Sequence, residues 1–177
     1  MAPNETLSIT DIAFYERDVI LRMPFRFGIV MLREAPQIFV RVTLQNTAGE
    51  MAEGVTAEVL APKWFDKNPD LSNEQNFDQL RQSIKKAASL YLASDAKTPF
   101  GFYLDNYADQ MNVAADQQLV ASFGQAVLDK AIMDAVCRLN GLSIQQVVNR
   151  NLLGISHHPA IGDVANVDFD EFLASLD

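Results

Sequence analysis

The residues that most often do chemistry in proteins are few in this sequence, and its two histidines stand side by side. His157 and His158 are adjacent, so in a helix or a strand their imidazole rings point in different directions and rarely bind one metal ion together. They come just before Pro159, in a stretch with the character of a loop. We interpret the pair as part of an exposed linker.

The carboxylates do not form a catalytic or metal-binding set either. Asp66, Asp70 and Glu74 are spaced four apart, but Pro69 interrupts any helix that would bring them onto one face. Three more acidic residues lie in or beside a predicted hairpin, where solvated strand edges are the expected positions: Glu50, Glu53 and Glu58. P-loop, GxGxxG, GxSxG and HExxH motifs are absent from the sequence. We therefore predict no catalytic residue and no metal ligand in this chain.

Charge and hydropathy limit the classes of partner. The formal net charge is -9, and no Lys/Arg cluster stands out, so we expect no nucleic-acid binding. The longest apolar runs, such as residues 28–32, are too short to cross a bilayer, and residues 1–10 lack the pattern of a secretion signal. Cys137 is the single cysteine, which excludes an internal disulfide and suits a cytoplasmic location. We interpret it as a small buried apolar residue rather than a reactive thiol.

A period-two pattern in the first third of the chain predicts three strands. Residues 7–15 alternate loosely, residues 37–45 alternate cleanly, and residues 51–59 keep the same period before Pro62 ends the run. The turn signal at residues 46–49 joins the last two strands, so we expect a three-stranded antiparallel meander with one apolar face. In the second strand that face would consist of Ile38, Val40, Val42 and Leu44, and the other of Phe39, Arg41, Thr43 and Gln45.

Residues 21–36, between the first two strands, are rich in large side chains and too numerous for a tight hairpin turn. We expect a long loop there. Such a loop is either functional or packs within its domain or onto a neighbour.

The pattern then changes to a helical period. Ser72 and Gln75 have the spacing of a capping box, and the apolar stripe that follows predicts a helix over residues 73–93 that covers the sheet. Residues 98–113 are aromatic but irregular, and we expect turns there, with at most one or two turns of helix. A second long helix is predicted from about residue 116 to Asn140, where Gly141 ends it, and Ser143 caps a short helix that follows.

The second long helix is apolar around much more than half of its girth, which predicts burial on more than one side. No partner for the second apolar side of this helix is evident within the chain, so we expect that side to pack against another domain or chain. The acidic tail, residues 163–177, has apolar residues at helical spacing after Asp168 and predicts either a short amphipathic helix or a frayed end. Strands followed by helices are typical of an α+β fold.

Several short elements resemble, in their order, the motifs of one family. Pro24-Phe25 with Phe27-Gly28 resembles a Pro-Phe element, and residues 37–45 with Gly49 and Gly54 resemble a glycine-spaced hairpin. Residues 131–134 resemble an Ala-Leu-Trp-Asp helix. Residues 141–143 resemble a Gly-x-Pro element, and residues 152–154 resemble a Leu-Leu-Gly element. Together they span about Ile9 to Gly154. The sequence thus resembles the N-terminal capping domain of the enolase superfamily, in its mandelate racemase/muconate lactonizing enzyme branch.

The sequence also departs from the pattern of that family. Ala52 stands where the middle glycine of the hairpin is usual, and Val55 stands where glutamate is usual. Met133 replaces the usual tryptophan, and Ser143 stands where proline is common. The resemblance is therefore to a divergent member, and no substrate is carried over from better-known members.

The resemblance implies chemistry that this chain carries only in part. Family members react on a (β/α)8-type barrel of about 250 residues, where a Lys or His base and Mg²⁺ serve the removal of a proton next to a carboxylate. After Leu153 only 24 residues follow (177 minus 153). We expect either a fragment or a truncated member of an isomerase or lyase family, which binds no cofactor alone, with Mg²⁺ implied for a full-length relative.

On this basis we predict a capping domain of sheet plus helix over residues 1–115, helices leading toward the missing barrel over residues 116–155, and an acidic tail over residues 156–177. Arg26 is a candidate for pairing with an anionic substrate group, or else a surface arginine. By resemblance, the segments that cover the substrate correspond to Met23, Pro24, Phe25, Arg26, Phe27 and Gly28, and to Val55, Thr56 and Ala57.

Two classes of function remain open. The first is a non-catalytic cap of a Mg²⁺-dependent racemase, epimerase, dehydratase or cycloisomerase, partnered by a barrel domain of the same or another chain. The second is a stand-alone interaction module that associates with itself through the apolar helix 117–139.

Overall fold

Three antiparallel strands form one sheet at the start of the chain. A computed structural model describes residues 4–28, 30–157, 164 and 166–176. The strands are β1 (Ser8–Phe27), β2 (Val30–Gln45) and β3 (Met51–Val59), in the order β1-β2-β3. The predicted α+β fold with a three-stranded meander is confirmed.

The two faces of β2 differ as its alternation predicts. The side chains of Ile38, Val40, Val42 and Leu44 are buried against the helices, whereas Phe39, Arg41 and Gln45 on the other face are partly exposed. A tight turn joins β2 to β3, in which Gly49 has a φ of 83° and the Asn46 side chain accepts hydrogen bonds from the backbone N–H groups of Ala48 and Glu50. The predicted hairpin and its turn are confirmed.

The predicted long loop over residues 21–36 is wrong, because both strands continue into it as a two-stranded ribbon. Phe25 pairs with Leu32 and Phe27 with Val30, and Gly28 follows β1 with a positive φ of 55°. The register shifts between Ile20 and Phe25, since four residues of β1 lie opposite a single residue of β2. This bulge breaks the period-two pattern and places Pro24 where the ladder needs no N–H donor.

The helices are α1 (Asn73–Ala93), α2 (Pro99–Met111), α3 (Gln118–Asn140), α4 (Ile144–Asn149) and α5 (Phe169–Ala174), with a 3-10 turn over Asn112–Ala114. The capping boxes of α1 at Ser72 and of α4 at Ser143 are present, and Gly141 ends α3 with a φ of 62°. In the acidic tail, α5 follows the cap residue Asp168, so the amphipathic-helix alternative is confirmed.

The irregular structure predicted for residues 98–113 is also wrong, because α2 occupies most of this stretch. Thr98 caps the helix by accepting a hydrogen bond from the backbone N–H of Gly101, and Pro99 occupies the first turn. Thr-Pro is a start signal for a helix, since proline needs no N–H partner there. The aromatic residues that follow it have only moderate helix propensity, which obscured the period.

Helix α3 lies between the sheet and α1. Strand β3 approaches it closely at Gly54, and α1 approaches it closely at Gly124 of α3 itself. A Cβ on Gly54 of β3 would lie 2.0 Å from the carbonyl oxygen of Ala131, and one on Gly124 would lie 2.2 Å from that of Ser83 in α1. Asp134 adds a hydrogen bond of 2.9 Å from the backbone N–H of Val55. The sheet is therefore covered mainly by α3, not by α1 as predicted, and the second apolar side of α3 does have a partner within the chain.

One hydrophobic core joins these elements. It includes Val40 of β2, Leu80 of α1, Phe102 of α2 and Leu128 of α3, so residues on both sides of the predicted boundary at 115 and 116 share it. Among the described residues, none of the helices combines the length and hydrophobicity that a membrane span needs.

Candidate functional site at the hairpin tip

The residues predicted to cover a substrate lie in two separate places. Positions 23–28 form the far end of β1 and the turn after it, whereas positions 55–57 lie inside β3. Phe25 pairs with Leu32 of β2, and Ala57 pairs with Phe39, seven residues further along the same strand. At about 3.3 Å per residue the two groups are roughly 23 Å apart, so the structure does not bring them together.

The groups also differ in the surface that they form. Val55 and Ala57 are exposed on the outer face of the sheet, while Thr56 faces the helix side and is partly buried. Positions 23–28 were expected in a loop, and that expectation is wrong because they belong largely to β1, whereas positions 55–57 lie in the strand that was predicted over residues 51–59.

The hairpin end forms a groove that we name the tip groove, with a volume of about 770 Å³. Its walls come from the hairpin turn, the segment after β3 and the start of α3. The aromatic ring of Phe27 meets the indole of Trp64 edge to face at 5.4 Å, and Phe25 lies 5.8 Å from Phe27. The residues that line it include Phe27, Gly28, Lys63, Trp64, Lys67 and Leu119.

The segment that carries Trp64 is held in place by polar contacts to the backbone. The Nζ atom of Lys63 donates hydrogen bonds to the carbonyl oxygens of Asn68 and Leu71, at 2.7 and 2.5 Å. Asp66 is buried and accepts from the backbone N–H of Asn68 and from Nε2 of Gln79, at 2.9 Å each. The bond from Gln79 is the main reason that the pKa of Asp66 lies below its usual range. These residues therefore position the groove wall.

One exposed basic side chain, Lys67, lines the groove, and a second, Arg26, lies beside the turn of the same hairpin. Lys67 is exposed and makes no ion pair with any described residue, and the exposed Arg26 donates from Nε to the carbonyl oxygen of Gly28 at 3.3 Å. The chain has a net charge of -9, so two cationic side chains beside an aromatic surface are a local exception to its overall negative charge. The arrangement suits a molecule with a carboxylate and an apolar body.

Four of the lining residues named above were missed from the sequence: Lys63, Trp64, Lys67 and Leu119. Trp64 is the single tryptophan, and it comes two residues after Pro62, where the third predicted strand has ended. A tryptophan in a segment between predicted elements could have been noted as a candidate binding residue. Leu119 begins the apolar pattern of α3 but is 62% exposed. Its place beside the hairpin depends on tertiary packing, and no local pattern shows it.

The described residues do not fit a metal ion, since no group of three or more His, Cys, Asp or Glu side chains is placed to hold one. Glu53 and Glu58 pair with basic side chains, Arg41 and Lys130 respectively. His157 is exposed, whereas His158 and Pro159 lie outside the described residues.

Cys137 packs partly buried against the core, and burial raises the pKa of its thiol, as does the nearby Asp134. A thiol with a raised pKa forms less of the reactive thiolate. The interpretation of this cysteine as a packing residue agrees with that placement.

Several solved structures share this fold. A mandelate racemase/muconate lactonizing enzyme matches 80% of this chain and 34% of its own, with a TM-score of 0.54 and 21% identity. An enolase from Bradyrhizobium, complexed with magnesium and mandelic acid, matches the same shares, with a TM-score of 0.53 and 16% identity. A mandelate racemase/muconate lactonizing enzyme-like protein from Rubrobacter xylanophilus matches 80% and 33%, with a TM-score of 0.53 and 17% identity.

This chain thus spans about a third of the length of the proteins it matches. No family model and no curated protein sequence matches it. At these identities the likeness establishes the fold, and at that level the resemblance predicted from the motifs is confirmed: the chain has the α+β fold of the N-terminal domain of the enolase superfamily, as in mandelate racemase/muconate lactonizing enzyme-like proteins.

Proposed function

We propose that this chain acts as a capping domain, which covers the substrate pocket of a mandelate racemase/muconate lactonizing enzyme-like barrel and is not catalytic alone. The observation that carries the proposal is the long β1-β2 hairpin with large apolar side chains exposed at its end. Ile20 is 80% exposed, Met23 72% and Phe25 55%. Neighbouring apolar side chains exposed to this extent mark a surface that another surface covers.

The proposed chemistry is proton removal next to a carboxylate, in a racemase, epimerase, dehydratase or cycloisomerase. Within it, the tip groove excludes water and contacts the part of the substrate away from the reacting carbon. Phe25, Phe27 and Trp64 supply apolar contact, and Lys67 and Arg26 face the charge of an acid substrate. A contact between positions 55–57 and the substrate remains a prediction. A small ligand in the tip groove would lie too far from these positions to touch them.

Magnesium does not fit the described residues, so no step of the reaction is assigned to a metal bound by this chain. In the proposal, the base and the metal ligands belong to a barrel domain of the same or another chain. One protein of this fold is complexed with magnesium and mandelic acid, which supports a role for Mg²⁺ in the proposed reaction.

The first experiment tests the non-catalytic part of the proposal. The chain alone, with Mg²⁺ and mandelate in D₂O, is followed by proton NMR for deuterium exchange at the α-carbon. We expect no exchange above the buffer control. Mg²⁺-dependent exchange by the chain alone would refute the assignment of all chemistry to another domain.

The second experiment tests the covering role in a chimera that carries this chain in place of the matching third of the Bradyrhizobium relative. Mandelate affinity is measured by calorimetry for the chimera and for two single variants. Phe27→Ser, at the tip groove, is expected to weaken binding about tenfold, whereas Tyr15→Ser, on the outer sheet face, is expected to leave it unchanged. Equal affinities in the chimera and the Phe27→Ser variant would contradict the proposal.

An interaction module is the second candidate function, because the same exposed apolar residues also suit a protein partner. Most apolar side chains of the helix 117–139 are buried within the chain, so the hairpin end is the better candidate surface. Sedimentation velocity separates the two functions. A stoichiometric dimer at every concentration favours the module, and a monomer that associates only weakly favours the cap.

A further inference from the structure

A cavity of about 310 Å³ lies far from the tip groove, between α2, α3 and the segment after α4. Its walls are aromatic and aliphatic, except for one carboxylate. Phe100 and Tyr103 form a stacked pair with ring centroids 5.9 Å apart. The residues that line it include Phe100, Tyr103, Asp129, Ile132, Met133 and Leu153.

The carboxylate of Asp129 is held in one orientation by a buried hydrogen-bond chain. The hydroxyl of Tyr91 donates to Oδ1 of Asp129 at 2.8 Å. Nε2 of Gln125 donates to the Tyr91 oxygen at 3.3 Å and to the carbonyl oxygen of Tyr103 at 3.1 Å. Tyr91 and Gln125 are fully enclosed in the core, so the side chains that orient the partly buried carboxylate are themselves shielded from solvent.

This carboxylate has no cationic partner among the described residues. Burial raises the pKa of Asp129 to about 7, and the hydrogen bond from Tyr91 only partly opposes the shift. Lys130, next to Asp129 in the sequence, pairs with Glu58, and Lys97, which precedes α2, pairs with Asp105. A carboxylate in an apolar wall costs stability unless something pairs with it, and a leucine would fill the same space without that cost.

We propose that this cavity is a binding site for a small organic cation, an alkyl- or arylammonium ion whose ammonium group pairs with Asp129. The apolar body of the ion lies against Ile132 and Met133. The stacked rings of Phe100 and Tyr103 add a cation–π attraction. The volume is at the lower end of the range of small-molecule sites, which suits a ligand of about one ring.

The proposal is independent of the capping role, since the cavity shares no lining residue with the tip groove. It is tested with the whole chain and two probes of nearly equal shape, benzylamine and benzyl alcohol. Calorimetry gives the affinities, and amide chemical-shift changes locate the site. We expect benzylamine to bind about tenfold more tightly than benzyl alcohol, with shifts confined to residues around Asp129.

Two variants identify the group responsible. Asp129→Asn keeps the shape of the side chain and removes its charge, so it is expected to abolish the preference for benzylamine while benzyl alcohol binds as before. Asp109→Asn, an exposed position on α2, is the matched control and is expected to keep the preference. An unchanged preference in Asp129→Asn would overturn the proposal.

The comparison of the two probes on the unaltered chain needs no variant to fold, and equal affinities there would also overturn the proposal. Affinity for benzylamine should rise from about pH 6 to about pH 8, since the proton must leave Asp129 before it pairs. The titratable groups that face Asp129 are Tyr91 from α1 and Tyr103 from α2. Both have pKa values raised above the ordinary tyrosine value, so neither ionises in this range.

Discussion

At the scale of single residues, the side chains whose role follows from local sequence were predictable and those that depend on tertiary contacts were not. Ser72, Ser143 and Gly141 occupy the capping positions that their spacing indicates, because a cap bonds to residues three or four positions away. Asp129 gives no such signal. In the sequence Asp129 is one acidic residue within an apolar helix. Its hydrogen bond with Tyr91 joins residues that are 38 positions apart, so no local pattern indicates it.

Asp129 also makes the stability of the fold depend on pH. Its folded pKa of about 7 lies above the unfolded value, so its contribution to stability is complete below about pH 4 and is lost as the pH rises through 7. Between about pH 5 and pH 8 the loss by linkage is on the order of 2 to 3 kcal/mol. Asp129→Asn should remove this part of the pH dependence, which urea denaturation of both proteins at each pH measures. Parallel pH profiles for the two proteins would contradict the shift.

At the scale of elements, the sequence predicted where α1 and α3 begin and end but not which of them covers the sheet. Both helices carry a broad apolar face, and periodicity cannot show which face meets which neighbour. Two glycines determine which helix covers the sheet. Gly54 allows β3, and Gly124 allows α1, to approach the backbone of α3. Gly54 was noted only as part of a turn motif, and its packing role needed the structure.

The close approach at Gly54 predicts a large effect of one methyl group. In Gly54→Ala the new Cβ would lie within 2.2 Å of two backbone atoms of α3, so the strand or the helix must move. We expect the free energy of unfolding to fall by about 3 kcal/mol. The control is Gly49→Ala, which meets no atom within 4 Å but has a positive φ, and should cost about 1 kcal/mol. Equal losses in chemical denaturation would show that β3 and α3 are not in tight contact.

The hairpin end is the second element whose contacts predict a measurable change. Phe27 covers one edge of the indole of Trp64, the single tryptophan, which is 55% exposed. In Phe27→Ser, Trp64 gains contact with water, so its fluorescence maximum should move to longer wavelength, with a loss of about 1 kcal/mol in stability. Phe172→Ser, on α5, is the control and should leave the emission unchanged. No spectral shift in Phe27→Ser would mean that the hairpin does not rest on Trp64.

At the scale of the whole molecule, the fold class and the order of elements followed from the sequence, whereas the distribution of exposed surface did not. The apolar girth of α3 suggested an uncovered helix, yet the sheet and α1 bury it within this chain. The two most exposed large apolar side chains, Ile20 and Met23, lie instead in the outer half of the β1-β2 hairpin, partly in a stretch predicted as a loop. Because the chain spans about a third of the proteins it matches, a surface covered by the remaining part is what the capping proposal expects.

This distribution predicts where a hydrophobic dye binds the folded chain. The side chains of Met23 and Phe25 are exposed at the hairpin end, so an anilinonaphthalene sulfonate dye should fluoresce with the native protein, its sulfonate attracted to Arg26 and Lys67. Met23→Ser with Phe25→Ser should remove most of that signal. The matched control, Ile144→Ser with Phe172→Ser, alters two exposed apolar residues of α4 and α5 and should retain the signal. If the control pair lowers dye binding as much as the hairpin pair, the exposed hydrophobicity is spread over the molecule and the hairpin end is not a docking surface.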